Sequence, residues 1–265
     1  MPKCPYCFYA RSWVLRRSKR KCKQCRREFS VNKYPVSGVR STVQDWKDCI
    51  GIFLRQRTAA SIATETSIGN NRSVRMVNIL RVLMTQDIPE MFLGPVEMDE
   101  TYIGGQRKNK RLHIRRIKAK RGHGTDKLPI MGIFDRDEKK VYVEVMSRKL
   151  SMPHIFKTMN ERVTSHASVF TDGFKMYRGL TKKGFQHEYV DHDGGEYVRG
   201  IIHTNNIEGF WGILKRKLSC IGGMRRDRLY LFVGEIVWKF NHRTNTLAER
   251  EQLLLDLVVK FGGRT

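Results

Sequence analysis

Apolar residues recur at helical spacing over the first third of the chain. Residues 41–57 predict one helix with a capping box at Ser41 and Gln44, and its apolar face carries Val43, Trp46, Ile50, Phe53 and Leu54. Residues 58–65 and 72–84 repeat the pattern on either side of a Gly-Asn-Asn turn and predict two more helices. This order is typical of a DNA-reading helix-turn-helix. A three-helix bundle that only packs gives the same periodicity, so both interpretations stay open.

Beyond residue 95 the pattern changes to strands interspersed with helices. Runs rich in apolar and β-branched residues predict strands over 96–102, 128–134, 141–146, 168–171 and 188–190. Helical spacing predicts helices over 151–163, from Ile207, from Leu229 and after Thr246, where Glu249 completes a second capping box. This order predicts an α/β fold with a mixed sheet flanked by helices. The chain thus divides into segments 1–38, 39–88 and 89–265, the last including the C-terminal helices.

The net charge of the chain reduces the number of possible function classes. The 265 residues contain 51 Lys and Arg against 26 Asp and Glu, a formal net charge of +25, which excludes an ordinary neutral metabolic enzyme and favours a nucleic-acid partner. No apolar run approaches the roughly 18 residues that span a bilayer, and the first residues lack the apolar stretch of a signal peptide. We therefore expect a cytoplasmic, nucleoid-associated protein without a membrane partner.

Four of the six cysteines form two CxxC pairs in a strongly basic part of the chain. Cys4 and Cys7 are followed, after 14 residues, by Cys22 and Cys25. Such a short, charged segment cannot bury enough apolar surface to fold alone, whereas one Zn²⁺ held by four thiolates supplies the missing stability. Two disulfides are the alternative, disfavoured in a reducing cytosol, and a thioredoxin-like redox motif lacks its βαβ context. The segment is predicted to be a zinc ribbon.

Three acids lie where a sheet can bring them together. Asp99 is in the first α/β strand, Asp172 follows a short strand, and Glu208 starts a later helix. Clustered carboxylates repel one another unless a cation intervenes, and their oxygens select Mg²⁺ or Mn²⁺. Two such ions support an in-line phosphoryl displacement. Spacing alone leaves scattered structural acids as an alternative, and the competing candidates are Asp135, Asp137, Asp191 and Asp193.

The strings around these acids resemble a known family over nearly the whole chain. They are Val-Glu-Met-Asp99-Glu-Thr-Tyr-Ile-Gly-Gly105, Phe-Thr-Asp172-Gly-Phe-Lys-Met-Tyr177 and His203-Thr-Asn-Asn-Ile-Glu208-Gly-Phe-Trp-Gly-Ile-Leu-Lys215. All three are similar to the DDE transposases of bacterial insertion sequences related to eukaryotic Merlin elements. The resemblance implies a zinc ribbon, a helix-turn-helix and an RNase H-like, retroviral integrase-like catalytic domain.

By the same resemblance, Asp99, Asp172 and Glu208 are the metal-binding triad, and His203 and Asn205 belong to the third motif without an assignable role. A segment from Phe240 to Arg243 also resembles the family, again without a role.

The implied activity is binding of the element's terminal repeats followed by DNA cleavage and strand transfer with two metal ions. The expected partners are double-stranded DNA, as element ends and target, and at least a second copy of the chain, because two DNA ends are joined. A non-enzymatic DNA-binding regulator derived from a transposase is the alternative, and a nuclease that cuts without joining is a third possibility.

Two groups of basic residues are candidate DNA contacts. Residues 107–127 carry ten Lys and Arg against one acid and predict a loop beside Asp99, with Arg115, Arg116, Lys118 and Lys120 closing on the DNA backbone. The second group is Lys215, Arg216 and Lys217. The alternative for both groups is a solvated surface that aids solubility.

Overall fold

The structure is a computed structural model, and it describes residues 4, 7, 9–16, 19–30, 35–36, 38–89, 91–104, 112, 127–146, 151–174, 176–177, 179–190, 198–222 and 224–262. The helices are α1 (Val43–Leu54), α2 (Ala59–Glu65), α3 (Asn70–Gln86), α4 (Met152–Arg162), α5 (Gly179–Lys182), α6 (Asn205–Ser219), α7 (Leu229–Asn241) and α8 (Leu247–Gly262), with a 3₁₀ turn at Arg226–Arg228. In this described part of the chain, no helix is both long and apolar enough to cross a membrane.

The first compact unit comprises residues 1–83 together with 245–265. Its small antiparallel sheet has the order β1 (Ser12–Val14), β2 (Lys19–Cys22), β3 (Glu28–Ser30). Helices α1 to α3 follow it along the chain. The predicted division assigned the last helix, α8, to the α/β domain. In the structure α8 lies in the first compact unit and packs against α1. Its apolar stripe, with Leu254 and Val258 fully buried, contributes to the helical core of this unit.

Capping residues set the helix starts of this unit. At α1 the predicted pair is one residue out of place: the box is formed by Thr42, whose hydroxyl accepts from the Asp45 N–H at 3.1 Å, and by Asp45, whose carboxylate accepts from the Thr42 N–H at 2.7 Å. The predicted cap, Ser41, is buried and donates to the sulfur of Met76 instead. The box at Thr246 and Glu249 is confirmed, with the Thr246 N–H donating to the Glu249 carboxylate at 2.7 Å.

The second compact unit, residues 84–244, is built on a five-stranded mixed sheet. Its strands are β4 (Val96–Ile103), β5 (Leu128–Asp135), β6 (Val141–Val145), β7 (Ser168–Asp172) and β8 (Gln186–Val190), in the order β6-β5-β4-β7-β8. Strand β5 is antiparallel to β4 and β6, whereas β7 is parallel to β4 and β8. The predicted mixed sheet is confirmed.

Alternation along the strands gives this sheet two different faces. Met98 and Met131 point to one face and pack with Ile155 of α4 and Leu180 of α5. On the other face Ile130 and Phe134 of β5 pack with the apolar stripes of α6 and α7. The sheet is therefore covered by helices on both sides, as the α/β fold class predicts.

The segment from Phe240 to Arg243 is explained by packing at the edge of this sheet. The buried Asn241 accepts from the Val141 N–H and donates to the Val141 carbonyl, each at 2.8 Å, and so replaces a neighbouring strand at the start of β6. Phe240 packs against Phe210 with ring centroids 4.9 Å apart, and the Arg243 guanidinium lies 4.0 Å from the Phe240 ring centroid. The contacts made by these residues join α7 to the sheet and to α6.

We predict that Asn241→Ala lowers the free energy of unfolding by about 2–4 kcal/mol, because both backbone groups of Val141 lose their buried partner. Urea denaturation of the full chain measures this change, and Asn160→Ala, on the exposed surface of α4, is the matched control. Equal stabilities for the two variants would contradict this role of Asn241.

Candidate active site

Parallel pairing of β4 with β7 sets two of the predicted acids side by side. Met98 is in register with Thr171, so the next residues, Asp99 and Asp172, lie next to each other on adjacent strands. Residues paired in this way point to the same face of a sheet, here the face covered by α6. Both side chains are half-buried, and the Phe174 N–H donates to Asp172 Oδ1 at 3.1 Å.

The electrostatics of this pair are unfavourable for negative charge. Burial, then the charge of Glu100, then that of Asp172 raise the pKa of Asp99 to about 8. Burial also raises the pKa of Glu100 to about 7; the hydrogen bond from the Tyr177 hydroxyl opposes this increase and the charge of Asp172 adds to it. The charges of three acids thus act on one another at this end of β4.

The orientation of Asp99 is fixed from helix α6. The indole N–H of Trp211 donates to Asp99 Oδ2 at 2.9 Å. Room for this indole comes from Gly132, which is paired with Asp99 across β4 and β5: a Cβ on Gly132 would lie 2.5 Å from the Trp211 ring. A side chain at position 132 would push the ring away from Asp99.

Glu208 is an exposed residue in the first turn of α6. Its carboxylate accepts a hydrogen bond from the Thr204 hydroxyl at 2.7 Å. The structure does not bring the three acids to metal-ligand spacing: among the described residues, the only group of three or more whose ligand atoms lie within 4.8 Å of one another is the four cysteines. Asp99 and Asp172 are adjacent through the strand register, and the three acids together do not form such a group.

A fourth acid, which the sequence analysis did not single out, holds the start of α6. Glu97 is fully buried and accepts from the backbone N–H groups of Asn206 and Ile207 at 2.8 and 3.0 Å. It also accepts from Arg136 Nε at 2.7 Å. The sequence position of Glu97 was enough to place it near Asp99, because an acid two residues before Asp99 in the same strand shares its face of the sheet.

His203 and Asn205 lie at the same helix start. His203 Nδ1 is 3.1 Å from Arg136 Nη2 and 3.3 Å from Glu97, and the Asn205 N–H donates to it at 3.4 Å. His203 therefore contacts the residues that hold α6, and Asn205 is the first residue of that helix.

The competing acids of the hairpin have a local role. Asp135 is buried, and its Oδ1 accepts from the N–H groups of Asp137 and Glu138 at 2.9 and 2.7 Å, which closes the turn between β5 and β6. Asp191 and Asp193 lie outside the described residues.

The candidate DNA contacts are seen only in part. Lys215, Arg216 and Lys217 are exposed near the C-terminal end of α6. The other four, Arg115, Arg116, Lys118 and Lys120, lie outside the described residues, as does most of the basic segment 107–127.

The four N-terminal cysteines converge on one point. Their sulfurs lie within 4.8 Å of one another, with Cys4 Sγ 3.6 Å from Cys25 Sγ and Cys7 Sγ 3.5 Å from Cys22 Sγ. None of the four is in a disulfide. Four thiols at this spacing are a donor set that fits a tetrahedral metal ion.

Comparison with known proteins identifies the family. Residues 91–241 match the ISXO2-like transposase domain. A protein of Halobacterium salinarum, described as an uncharacterized protein in transposable element ISH50, is 31% identical over 221 residues, which cover 78% of this chain and 73% of the relative.

Two retroviral integrases are among the similar solved structures. One is the HTLV-2 integrase catalytic core domain with magnesium, at TM-score 0.33 and 11% identity over 57% of this chain and 87% of that one. The other is a simian T-cell lymphotropic virus intasome, at TM-score 0.36 and 10% identity over 72% of this chain and 67% of that one.

The family match covers more than half of the chain, and the halobacterial relative is aligned over most of its own length. The chain therefore belongs to the ISXO2-like transposase family, the DDE transposases of insertion sequences.

Proposed function

We propose that this transposase binds the terminal repeats of its element and catalyses DNA cleavage and strand transfer, with Asp99, Asp172 and Glu208 as the ligands of two catalytic metal ions. The observation that carries the proposal is the register of β4 and β7, which puts Asp99 and Asp172 side by side on the α6 face of the sheet. The carboxylate of Glu208 joins them by turning away from the Thr204 hydroxyl, a rotation that its exposure permits.

The two aspartates fit divalent cations. Carboxylate oxygens are the ligands that Mg²⁺ and Mn²⁺ prefer, and a cation held by Asp99 and Asp172 would offset the repulsion that disfavours their charge. When bound, such ions activate the attacking hydroxyl and stabilise the leaving oxygen of a phosphodiester.

The side chains around the pair prepare it for this role. Trp211 donates to Oδ2 of Asp99 and the Phe174 N–H donates to Oδ1 of Asp172, so both carboxylates are held in a defined orientation. The apolar ring of Trp211 also covers the sheet next to Asp99 and excludes water from that side.

DNA is held, in this proposal, by lysines and arginines rather than by the acids. Phosphate contacts supply most of the sequence-independent affinity and make it depend on salt. The exposed Lys215, Arg216 and Lys217 lie on the helix that carries Glu208, and Arg115, Arg116, Lys118 and Lys120 follow the strand that carries Asp99. Both groups are thus connected in sequence to the acids.

The four-cysteine cluster is proposed to bind one structural Zn²⁺. Among the described residues around it, the core consists of Cys4, Cys22 and Phe29, with Cys7 and Cys25 packed against them. So few buried apolar groups cannot stabilise three short strands in water, whereas tetrahedral thiolate coordination can.

We predict that Asp172→Asn and Glu208→Gln each reduce cleavage and joining at least roughly 100-fold, because losing a metal ligand costs more than losing a residue that only orients a ligand. DNA affinity stays at the wild-type value. The assay uses DNA carrying the element's inverted repeats, with Mg²⁺. Asp256→Asn on α8 removes the same charge from an exposed site and is the control. If either variant joins DNA at the wild-type rate, the residue replaced in it is not a metal ligand.

For the zinc site, we predict that Cys22→Ser loses the zinc ion and the fold of the ribbon, because metal binding and folding are coupled there. Elemental analysis of protein purified without chelator measures the zinc content. Cys220→Ser is the matched control, since Cys220 is exposed and outside the cluster. Wild-type protein that contains no zinc would rule the site out.

For the DNA contacts, we predict that replacing Lys215, Arg216 and Lys217 by Gln weakens DNA binding and flattens its salt dependence. Each lost phosphate contact lowers the slope of log K against log salt by about 0.9, so three contacts lower it by up to about 2.7. The control replaces Lys157, Lys182 and Lys183, three exposed lysines on the opposite side of the sheet. Equal slopes for the two triple variants would show that this end of α6 does not contact DNA.

A further inference from the structure

Glu97 is an acid that the proposed triad leaves unexplained. Its relative exposure is 0%, and a buried carboxylate is costly unless hydrogen bonds and opposite charge compensate it. Here four N–H donors within 3.0 Å meet its two oxygens: the backbone N–H groups of Asn206 and Ile207, the Asn206 side chain, and Arg136 Nε. Four donors to one buried carboxylate show that the fold specifies the position of Glu97.

Two of these donors belong to the first turn of α6. The N–H groups of a first turn have no partner within their own helix and favour an anion. Thr204, the N-cap residue, makes no capping hydrogen bond with its side chain, which donates to Glu208 instead. Glu97 therefore caps the helix from the neighbouring strand and leaves the Thr204 hydroxyl available to Glu208.

Arg136 also contacts the segment that precedes α6. Besides bonding to Glu97, its guanidinium donates to the carbonyls of Ile201 and His203 at 2.6 and 2.8 Å. It also lies 4.3 Å from the centroid of the Phe170 ring on β7. One ion pair thus fixes β4, the entry to α6 and the helix start to one another.

We propose that Glu97 is a positioning residue that sets where Glu208 stands relative to Asp99. Glu97 is two residues from Asp99 on an extended strand, and its backbone contact at Ile207 is one residue from Glu208. A change in this contact therefore displaces Glu208 relative to Asp99. The inference rests on the proposed function, in which Glu208 is a metal ligand.

The test is Glu97→Gln in the full chain, with Mn²⁺ binding measured by electron paramagnetic resonance beside DNA cleavage. Glutamine keeps the size of the side chain but removes the charge, and its NH₂ group faces donors. We expect Mn²⁺ affinity and the cleavage rate at saturating DNA to fall roughly 10- to 100-fold, as for other residues that orient metal ligands. DNA affinity is unchanged.

Glu144→Gln is the matched control. Glu144 is a partly buried strand residue that accepts from Thr158 of α4, on the other face of the sheet. Its loss affects stability without acting on α6, so Mn²⁺ affinity stays at the wild-type value. If Glu97→Gln does not fold, Glu97→Asp decides, since it keeps the charge beside Arg136 but is one methylene shorter and loses its present reach to the N–H groups of Asn206 and Ile207. A wild-type Mn²⁺ affinity in the deciding variant overturns the proposal.

A double-mutant cycle separates positioning from a purely structural role. If Glu97 acts through Glu208, Glu97→Gln causes no further loss of Mn²⁺ affinity in a Glu208→Gln background. Full additivity overturns the proposal. Glu208→Gln alone tests the proposed function: wild-type cleavage by that variant removes Glu208 from the triad. Lost cleavage there, together with wild-type behaviour of Glu97→Gln, overturns only the role of Glu97.

Discussion

Asp99 and Asp172 repel each other when both are charged, and the parallel pairing of β4 with β7 keeps them from moving apart. A sheet is a rigid support, so the strain of this arrangement is relieved by protonation or by a cation rather than by movement. In a chain with a net charge of +25 this small acidic site is an exception. Its carboxylates suit metal ions, while the net positive charge of the chain suits a nucleic-acid partner.

Helix α6 covers the sheet beside the aspartates and carries two side chains of the candidate site, Trp211 and Glu208. Its apolar stripe packs on β5 through Ile207 and Trp211, and the same Trp211 indole fixes Asp99. Its first turn is held by Glu97 and carries Glu208. Packing, the orientation of Asp99 and the presentation of Glu208 therefore depend on a single element. This arrangement also requires glycine at position 132, because any side chain there would displace Trp211.

The sequence predicted the parts of this account that local patterns control. Periodicity located the strands from 96 to 190 and the helices after residue 205, and the cysteine spacing predicted the cluster that the structure forms. The one-residue error at α1 arose because Ser41 and Thr42 are both good caps, and burial of Ser41 against Met76 decides between them. An apolar stripe likewise shows that α8 must be covered but not that α1 covers it.

Long-range polar contacts were beyond local patterns. Glu97 meets donors at Arg136 and Asn206, 39 and 109 residues further along the chain, and no spacing rule links them. Trp211 looked like one more core residue, since only the tertiary structure brings its N–H to Asp99.

The most direct measurement of the central claim replaces Mg²⁺ by Fe²⁺ and maps where the bound ion cleaves the protein backbone in the presence of ascorbate and peroxide. Hydroxyl radicals formed at a bound iron cut the nearest chain segments. If Asp99, Asp172 and Glu208 hold the catalytic ions, the cuts fall at these three positions and disappear when excess Mg²⁺ is added. Cuts that cluster elsewhere, or that Mg²⁺ does not suppress, would contradict the account.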